Sequence, residues 1–263
     1  MNFASLIAAF AVPDDSLVEQ RVPKKLMLEQ GAPTPADKRA IQDGIEELFW
    51  VAALKPTNIG VPAYRDETRE YLEIELLTAV FRGDAKAARL TELVHRAIPY
   101  PLLLLSAHEG VCTLSVAHKR WSQGETGKVV IEDLHCSSSF QPDASKSEET
   151  AFIASLKLST LPRESLFVLY QGWLDRVTAM AAAHISGVYT VPTASEQSQD
   201  LRDGLEAHDR IERELVSLRA RAKKEKQMNR RVELNVELKR LEGELARLGE
   251  RLGGIVHEET RIK

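Results

Sequence analysis

Hydrophobic positions along this chain fall into three patterns: an unbroken run, an alternation and a helical spacing. The unbroken run is Leu102-Leu103-Leu104-Leu105, entered through Ile98-Pro99-Tyr100-Pro101 and left at Ser106. Four consecutive leucines leave no polar face, so a strand there is covered on both sides, as the inner strand of a helix-flanked sheet is. Pro99 and Pro101 cannot donate to a ladder and hold the preceding residues extended, which places the strand start at or just after Pro101. Alternation marks residues 70–80, where Tyr71, Glu73 and Glu75 interleave with Leu72, Ile74 and Leu76. That pattern predicts one buried and one polar face, with both glutamates on the polar one. Between these strands, Ala88, Leu90, Leu93, Val94 and Ala97 predict a helix over 85–97, and a strand–helix–strand crossover favours a parallel pair. Strands at 111–118 and 128–134, with Gly110 and Gln123-Gly124 marking turns, are expected to be antiparallel neighbours.

Helical spacing accounts for most of the remainder. Phe3, Leu6, Ile7 and Phe10 form the apolar side of a short first helix over 2–10, stopped by Pro13, and Asp14-Asp15-Ser16 supplies caps for a second beginning near Leu17. Ile41, Ile45, Leu48, Phe49 and Ala52 predict one long helix over 36–54, with Thr34 as its cap. Residues 137–149, which include Pro142, read as a loop. Two helices are expected over 149–158 and 163–185, the second stopped by Gly187, and 188–199 reads as a hinge. Leu234, Leu238, Leu241, Leu245, Leu248, Leu252 and Ile255 then repeat in steps of four and three, as a coiled-coil seam does. An upstream seam at Ile211, Leu215 and Leu218, extended by heptads, reaches Val232 and Val236. It is out of phase with the later seam, so a kink or two separately packed helices is expected. The architecture is therefore α/β: a mixed sheet flanked by helices over 1–195, and a C-terminal helical hairpin or coiled coil over 196–263.

Composition changes this picture little. With 43% hydrophobic and 28% charged residues in 263, the chain is that of a folded protein. No run is long and apolar enough to span a membrane, and the apolar start lacks the basic residues of a leader, so a cytoplasmic protein is expected. Cys112 and Cys136 lie in strand-like runs and read as buried, reduced thiols.

Charge is informative in its distribution. Residues 219–231 hold seven basic residues and one acid, a local charge of +6, so the rest of a chain of net charge −4 carries −10. On one continuous helix, Arg219, Lys223, Lys226 and Arg230 line a stripe able to follow a phosphate backbone; docking on the protein's own acidic surface, or simple solvation, is the alternative. A second cluster, His118-Lys119-Arg120-Trp121, suggests phosphate or base binding by charge and stacking, set against a strand end with an anchoring Trp. Glu73, Glu75 and Lys119 invite comparison with metal-dependent nucleases, yet Glu73-Ile74-Glu75 and Glu75-Leu76-Leu77 lack the lysine two residues beyond the acid that such sites use, so the lysine would have to be displaced. Phosphate-cradling glycine loops, nucleophile motifs and paired histidines are missing from the sequence. His95, His108, His135, His184 and His257 stand isolated, and no catalytic residue, metal or cofactor is assigned.

Several stretches resemble a bacterial family known as domain of unknown function 4391. They are Gln20-Arg21-Val22-Pro23-Lys24-Lys25, Gln42-Asp43-Gly44-Ile45-Glu46, Leu54-Lys55-Pro56, Ile98-Pro99-Tyr100-Pro101, Ala117-His118-Lys119-Arg120-Trp121, and the run from Glu225 through Asn235. The resemblance implies a setting among helicases and DNA methyltransferases of restriction-like or antiphage defence systems, and offers no catalytic residue to carry over. The expected function is a non-catalytic accessory protein that binds nucleic acid, a helicase or methyltransferase partner, or a second copy of itself. Arg219, Lys223, Lys226, Arg230, His118, Lys119 and Arg120 are the expected nucleic-acid contacts, and the leucines from Leu234 to Leu252 the partner contacts. A metal-dependent nuclease-like enzyme and a purely structural adaptor are the alternatives.

Overall fold

The computed structural model describes residues 3–254, apart from 126 and 142–145. Pro142, Ile255 and His257, singled out above, lie outside the described residues. Two compact units divide the chain after Val177.

The first unit opens with α1 (Ala4–Phe10), which buries Leu6 and Phe10. A single 3-10 turn, Asp14–Ser16, replaces the expected second helix and leads into the edge strand β1 (Leu17–Arg21). There follow α2 (Lys24–Gln30), α3 (Pro35–Gly44), β2 (Ile45–Leu54) and a one-turn α4 (Pro56–Ile59). The hairpin strands β3 (Tyr64–Arg65) and β4 (Glu70–Tyr71) pair with each other. After them come β5 (Ile74–Phe81), α5 (Ala87–Ala97), β6 (Leu102–His108), β7 (Val111–Trp121), β8 (Val129–Cys136) and α6 (Ser147–Ser155). The unit ends within α7 (Leu166–Ser186).

Six strands form one mixed sheet in the order β1-β2-β5-β6-β7-β8. β5 and β6 are parallel, Leu76 opposite Leu103 and Leu77 opposite Leu104. Every other neighbouring pair is antiparallel. All four leucines of β6 are buried, as a strand between two neighbours and two covered faces requires. On one face Leu77, Ala79, Leu102 and Leu104 pack with Met27 of α2, Ile41 of α3, and Leu90, Leu93 and Val94 of α5. Toward β6 and β7, Tyr170 of α7 places its buried hydroxyl between backbones, donating to the Leu102 carbonyl at 2.8 Å and accepting the Ala117 N–H at 2.8 Å. Tyr170→Phe leaves that N–H unpaired in the core and is expected to cost about 1–3 kcal/mol by urea denaturation; an unchanged midpoint would show that the bond contributes nothing.

The long helix expected over 36–54 is two elements. Thr34 caps α3 by accepting the Asp37 N–H at 3.1 Å, as expected, but α3 stops at Gly44 and the chain continues as β2. Ile45, Leu48, Phe49 and Ala52 satisfy a helical spacing, yet the aromatic and β-branched run Phe49-Trp50-Val51 is equally at home in a strand. Pairing to β1 on one side and β5 on the other decides the matter. Gly44 suits the junction, because a Cβ there would lie 2.8 Å from Leu90 Cδ1. The polar face expected for 70–80 is also corrected. β5 is buried on both sides, and Glu75 is 1% exposed. Cys112 is buried, whereas Cys136 is exposed.

The second unit is built on α8 (Ser195–Lys224) and α9 (Met228–Gly254). Residues 225–227 interrupt the long helix where the two leucine seams change phase. The Arg219–Glu242 ion pair at 2.8 Å and the approach of Leu252 to Gly204 show the two helices running antiparallel. Ile211, Leu215 and Leu218 of α8 bury against Leu241 and Leu248 of α9, with Leu234, Leu238 and Leu245 at the margin. The leucine seam thus closes on α8 of the same chain. Ala179 and Ala182 pack with Leu201 and Leu252. Leu241→Ala is expected to cost about 2–5 kcal/mol and the half-buried Leu238→Ala clearly less; denaturation followed by circular dichroism checks the ranking, which reverses if the seam instead binds between chains through Leu238.

Candidate functional site

The segment 95–102, where α5 hands over to β6, is gripped from three sides. Glu75 N–H donates to the Pro101 carbonyl at 2.9 Å, aligning the start of β5 with the start of β6. Tyr170 holds the Leu102 carbonyl. Lys119, reaching from β7, donates its ammonium to the Ile98 carbonyl at 3.0 Å and to that of His95. A cation at the last carbonyls of a helix meets both their lone pairs and the negative end of the dipole. Lys119 is 2% exposed, and burial pushes its pKa down to about 7, against which the carbonyls favour the charged form. His95, also buried, bonds Ser115 Oγ through Nε2 at 3.0 Å. Burial and, secondarily, Lys119 hold its pKa well below the ordinary value, so it is a neutral core histidine.

Beside this junction lies a cleft of about 490 Å³ whose walls include Leu26, Trp50, Glu75, Leu77, Arg96 and Ile98. Glu75 is its most unusual feature. Neither carboxylate oxygen has a hydrogen-bond partner among the described residues. Burial first, and Glu73 second, push the carboxyl pKa up to about 8, with the Trp50 indole and Lys55 opposing. A carboxyl in this state accepts or donates a hydrogen bond near neutral pH and favours a ligand that brings N–H groups or positive charge. Two neighbouring clefts of about 430 and 270 Å³ share Lys119 and open toward β7 and β8.

The three residues set against a nuclease site are engaged separately. Glu73 pairs with Lys55 at 3.1 Å, Lys119 serves the α5 carbonyls, and Glu75 stands without a neutralising partner. Of the 118–121 cluster, His118 faces inward. Gln171 donates to Asp175 at 2.8 Å, which orients its amide oxygen to accept the His118 Nε2–H at 2.8 Å. Nδ1 then accepts from the Tyr71 hydroxyl. The imidazole packs among the rings of Tyr71, Phe167 and Tyr170. Arg120, partly exposed, pairs with Glu132 at 3.7 Å, and Glu132 also takes two bonds from Arg69. The sequence conceals this pocket, because the spacing over 36–54 puts Trp50 on a helix and the alternation over 70–80 puts Glu75 on a solvent face.

The basic residues of 219–231 occupy the tip of the α8–α9 hairpin. Arg219, Arg221, Lys223 and Lys224 end α8, Lys226 sits in the connection, and Arg230 and Arg231 open α9, all of them exposed. The single-helix stripe expected for Arg219, Lys223, Lys226 and Arg230 is therefore replaced by a cluster around a turn. Met228, Val232 and Val236 recur every fourth residue on α9 and are 63%, 53% and 64% exposed. Val232 and Val236 do not continue the upstream seam, since the helix carrying that seam has already ended.

Fold and surface together define an α/β domain with a mixed six-stranded sheet and a basic, helical-hairpin C-terminal unit. Residues 10–245 match the family described as Domain of unknown function (DUF4391), and the chain belongs to it. Neither a curated protein nor a solved structure matches the chain. No helix among the described residues is long and apolar enough to cross a membrane.

Proposed function

We propose that this protein is a non-catalytic accessory factor of a restriction-like or antiphage defence system, acting by binding nucleic acid through the tip of the α8–α9 hairpin. The observation that carries this reading is the gathering of seven exposed basic residues at one turn of a chain that is acidic elsewhere. Such a concentration makes a local positive potential that attracts a phosphate backbone. The exposed Met228, Val232 and Val236 beside it favour simultaneous contact with a partner protein, in this setting a helicase or methyltransferase. The defence setting itself rests on the family resemblance. His118, Lys119 and Arg120, committed to the contacts above, are left out of the proposed interface, and so are the leucines that close the hairpin.

A second reading, a metal-dependent nuclease-like enzyme, draws on the unpartnered Glu75 carboxylate at its cleft. It is weaker because Glu73 and Lys119 have other partners. Binding of duplex DNA to the purified full chain across a salt series, with and without magnesium, separates the two. Metal-independent, salt-sensitive binding supports the accessory role. Magnesium-dependent cutting lost in Glu75→Ala overturns it in favour of the enzyme, and neither binding nor cutting leaves the structural adaptor.

A further inference from the structure

We propose that His208, Asp209 and Glu212 on α8 bind a transition-metal dication, zinc by ligand class, with its open coordination position on the groove between α8 and α9. One helical turn separates His208 from Glu212, which brings their side chains to the same side of the helix. One ligand atom from each of the three residues lies within 4.8 Å of the other two. The histidine is the fixed member. It is 8% exposed, and its Nδ1 is buried without a hydrogen-bond partner among the described residues. The nearest carboxylate oxygen, Glu212 Oε2, is 3.9 Å away, too far for a hydrogen bond. Buried ring nitrogens are normally paired, so this one has a lone pair or a proton that nothing in the hairpin uses.

A metal ion would use it. Donors on a four-coordinate zinc lie about 2.0–2.2 Å from the ion, and therefore about 3.4 Å from one another by tetrahedral geometry. The Nδ1-to-Oε2 separation is slightly wider than that, and the Glu212 side chain, 57% exposed, is free to close it. Asp209, also exposed, supplies the third donor. One imidazole and two carboxylates suit zinc, cobalt or manganese; the absence of thiolate and the presence of nitrogen argue against both soft monovalent copper and an all-oxygen calcium site. Access comes from a groove of about 690 Å³ lined by His208, Glu212, Leu215, Glu242, Leu245 and Glu250. Its carboxylates favour a cation, and Arg219, which also lines it, is already paired with Glu242. Three protein donors leave a fourth position for water or for a donor from a bound partner. This inference is independent of nucleic-acid binding at the hairpin tip.

The test is cobalt(II) titration of the tag-free full chain after chelator treatment, followed by its visible absorption, with zinc(II) added as competitor. One equivalent of cobalt displaced by one of zinc is expected. Affinity should fall at least tenfold in Glu212→Gln and in Asp209→Asn, both exposed positions where folding is not at stake, and vanish in His208→Ala. Absence of a cobalt spectrum at millimolar metal overturns the proposal. So does a stoichiometry and affinity unchanged in Glu212→Gln, which would place the metal on another of the seven histidines.

Discussion

Replacing Arg219, Lys223, Lys226 and Arg230 together by glutamate is expected to abolish salt-dependent binding of duplex DNA while leaving the fold intact. All four side chains are exposed at the hairpin tip, and among them Arg219 pairs with Glu242, a surface bond worth about 0–1 kcal/mol at most. The substitution turns a segment of charge +6 into one of −2 by exchanging four positive for four negative charges. Each phosphate contact contributes about 0.9 to the slope of log K against log salt, so four lost contacts flatten it by up to about 3.6. Between 50 and 200 mM salt such a slope corresponds to roughly a hundredfold change in affinity for the parent chain. Fluorescence anisotropy with labelled duplex, at four salt concentrations, measures it. Binding with an unaltered slope in the variant would exclude the hairpin tip as the contact.

The second large effect is a pH dependence of stability. Glu75 has a carboxyl pKa near 8 in the folded chain against about 4.3 when unfolded. Between these values the unfolded chain carries an ionised Glu75 whereas the folded chain keeps it protonated. Folding then takes up a proton, and stability falls as pH rises through this window. Below it the penalty is absent; above about pH 8 it is complete, at up to roughly 4–5 kcal/mol. Glu75→Gln is neutral at every pH and similar in shape. Its stability is expected to match the parent near pH 4 and to exceed it by several kcal/mol at pH 8.5, a difference on the order of 10 °C in melting temperature. Lys119, whose pKa is pushed the other way to about 7, contributes stability that is regained between about pH 7 and its unfolded value near 10.4; it is common to both proteins and cancels in the comparison. Urea denaturation of the two at four pH values decides the point, and parallel curves would mean that Glu75 finds a partner in solution.

Both predictions concern residues whose significance was unequally visible in the sequence. The charge cluster could be counted directly, but its shape could not. A continuous helix would have made a stripe; the turn at 225–227 makes a tip. The phase change between Ile211-Leu215-Leu218 and Leu241-Leu248-Leu252 was a local signal of that turn, because one straight helix cannot keep two out-of-phase seams against one partner. The burial of Glu75 is hidden in the sequence for a different reason. Alternation of glutamate with leucine normally reports a wet face, and only the presence of β2, β6, α2 and α5 around β5 shows that this glutamate is enclosed. Lys119 and His118 looked like surface ligands because lysine and histidine usually are exposed; their partners, the α5 carbonyls and Gln171, come from elements 21–53 residues away.

What the sequence by itself determined is what local chemistry encodes. The four-leucine inner strand and its start after Pro101, the crossover helix before it, the antiparallel pair after it, the Thr34 cap and the Gly187 stop all follow from backbone restriction and side-chain period over a few residues. Tertiary structure alone decided whether Ile45–Leu54 is helix or strand, since its apolar spacing satisfies both and the choice rests on hydrogen bonds to β1 and β5. It likewise decided that the leucine seam is satisfied by α8, and that, among the described residues, a carboxyl is buried at a cleft without a partner and an imidazole on α8 has an unused nitrogen. Each of these depends on which groups meet across long sequence separations, where packing and desolvation, rather than local preference, determine the outcome.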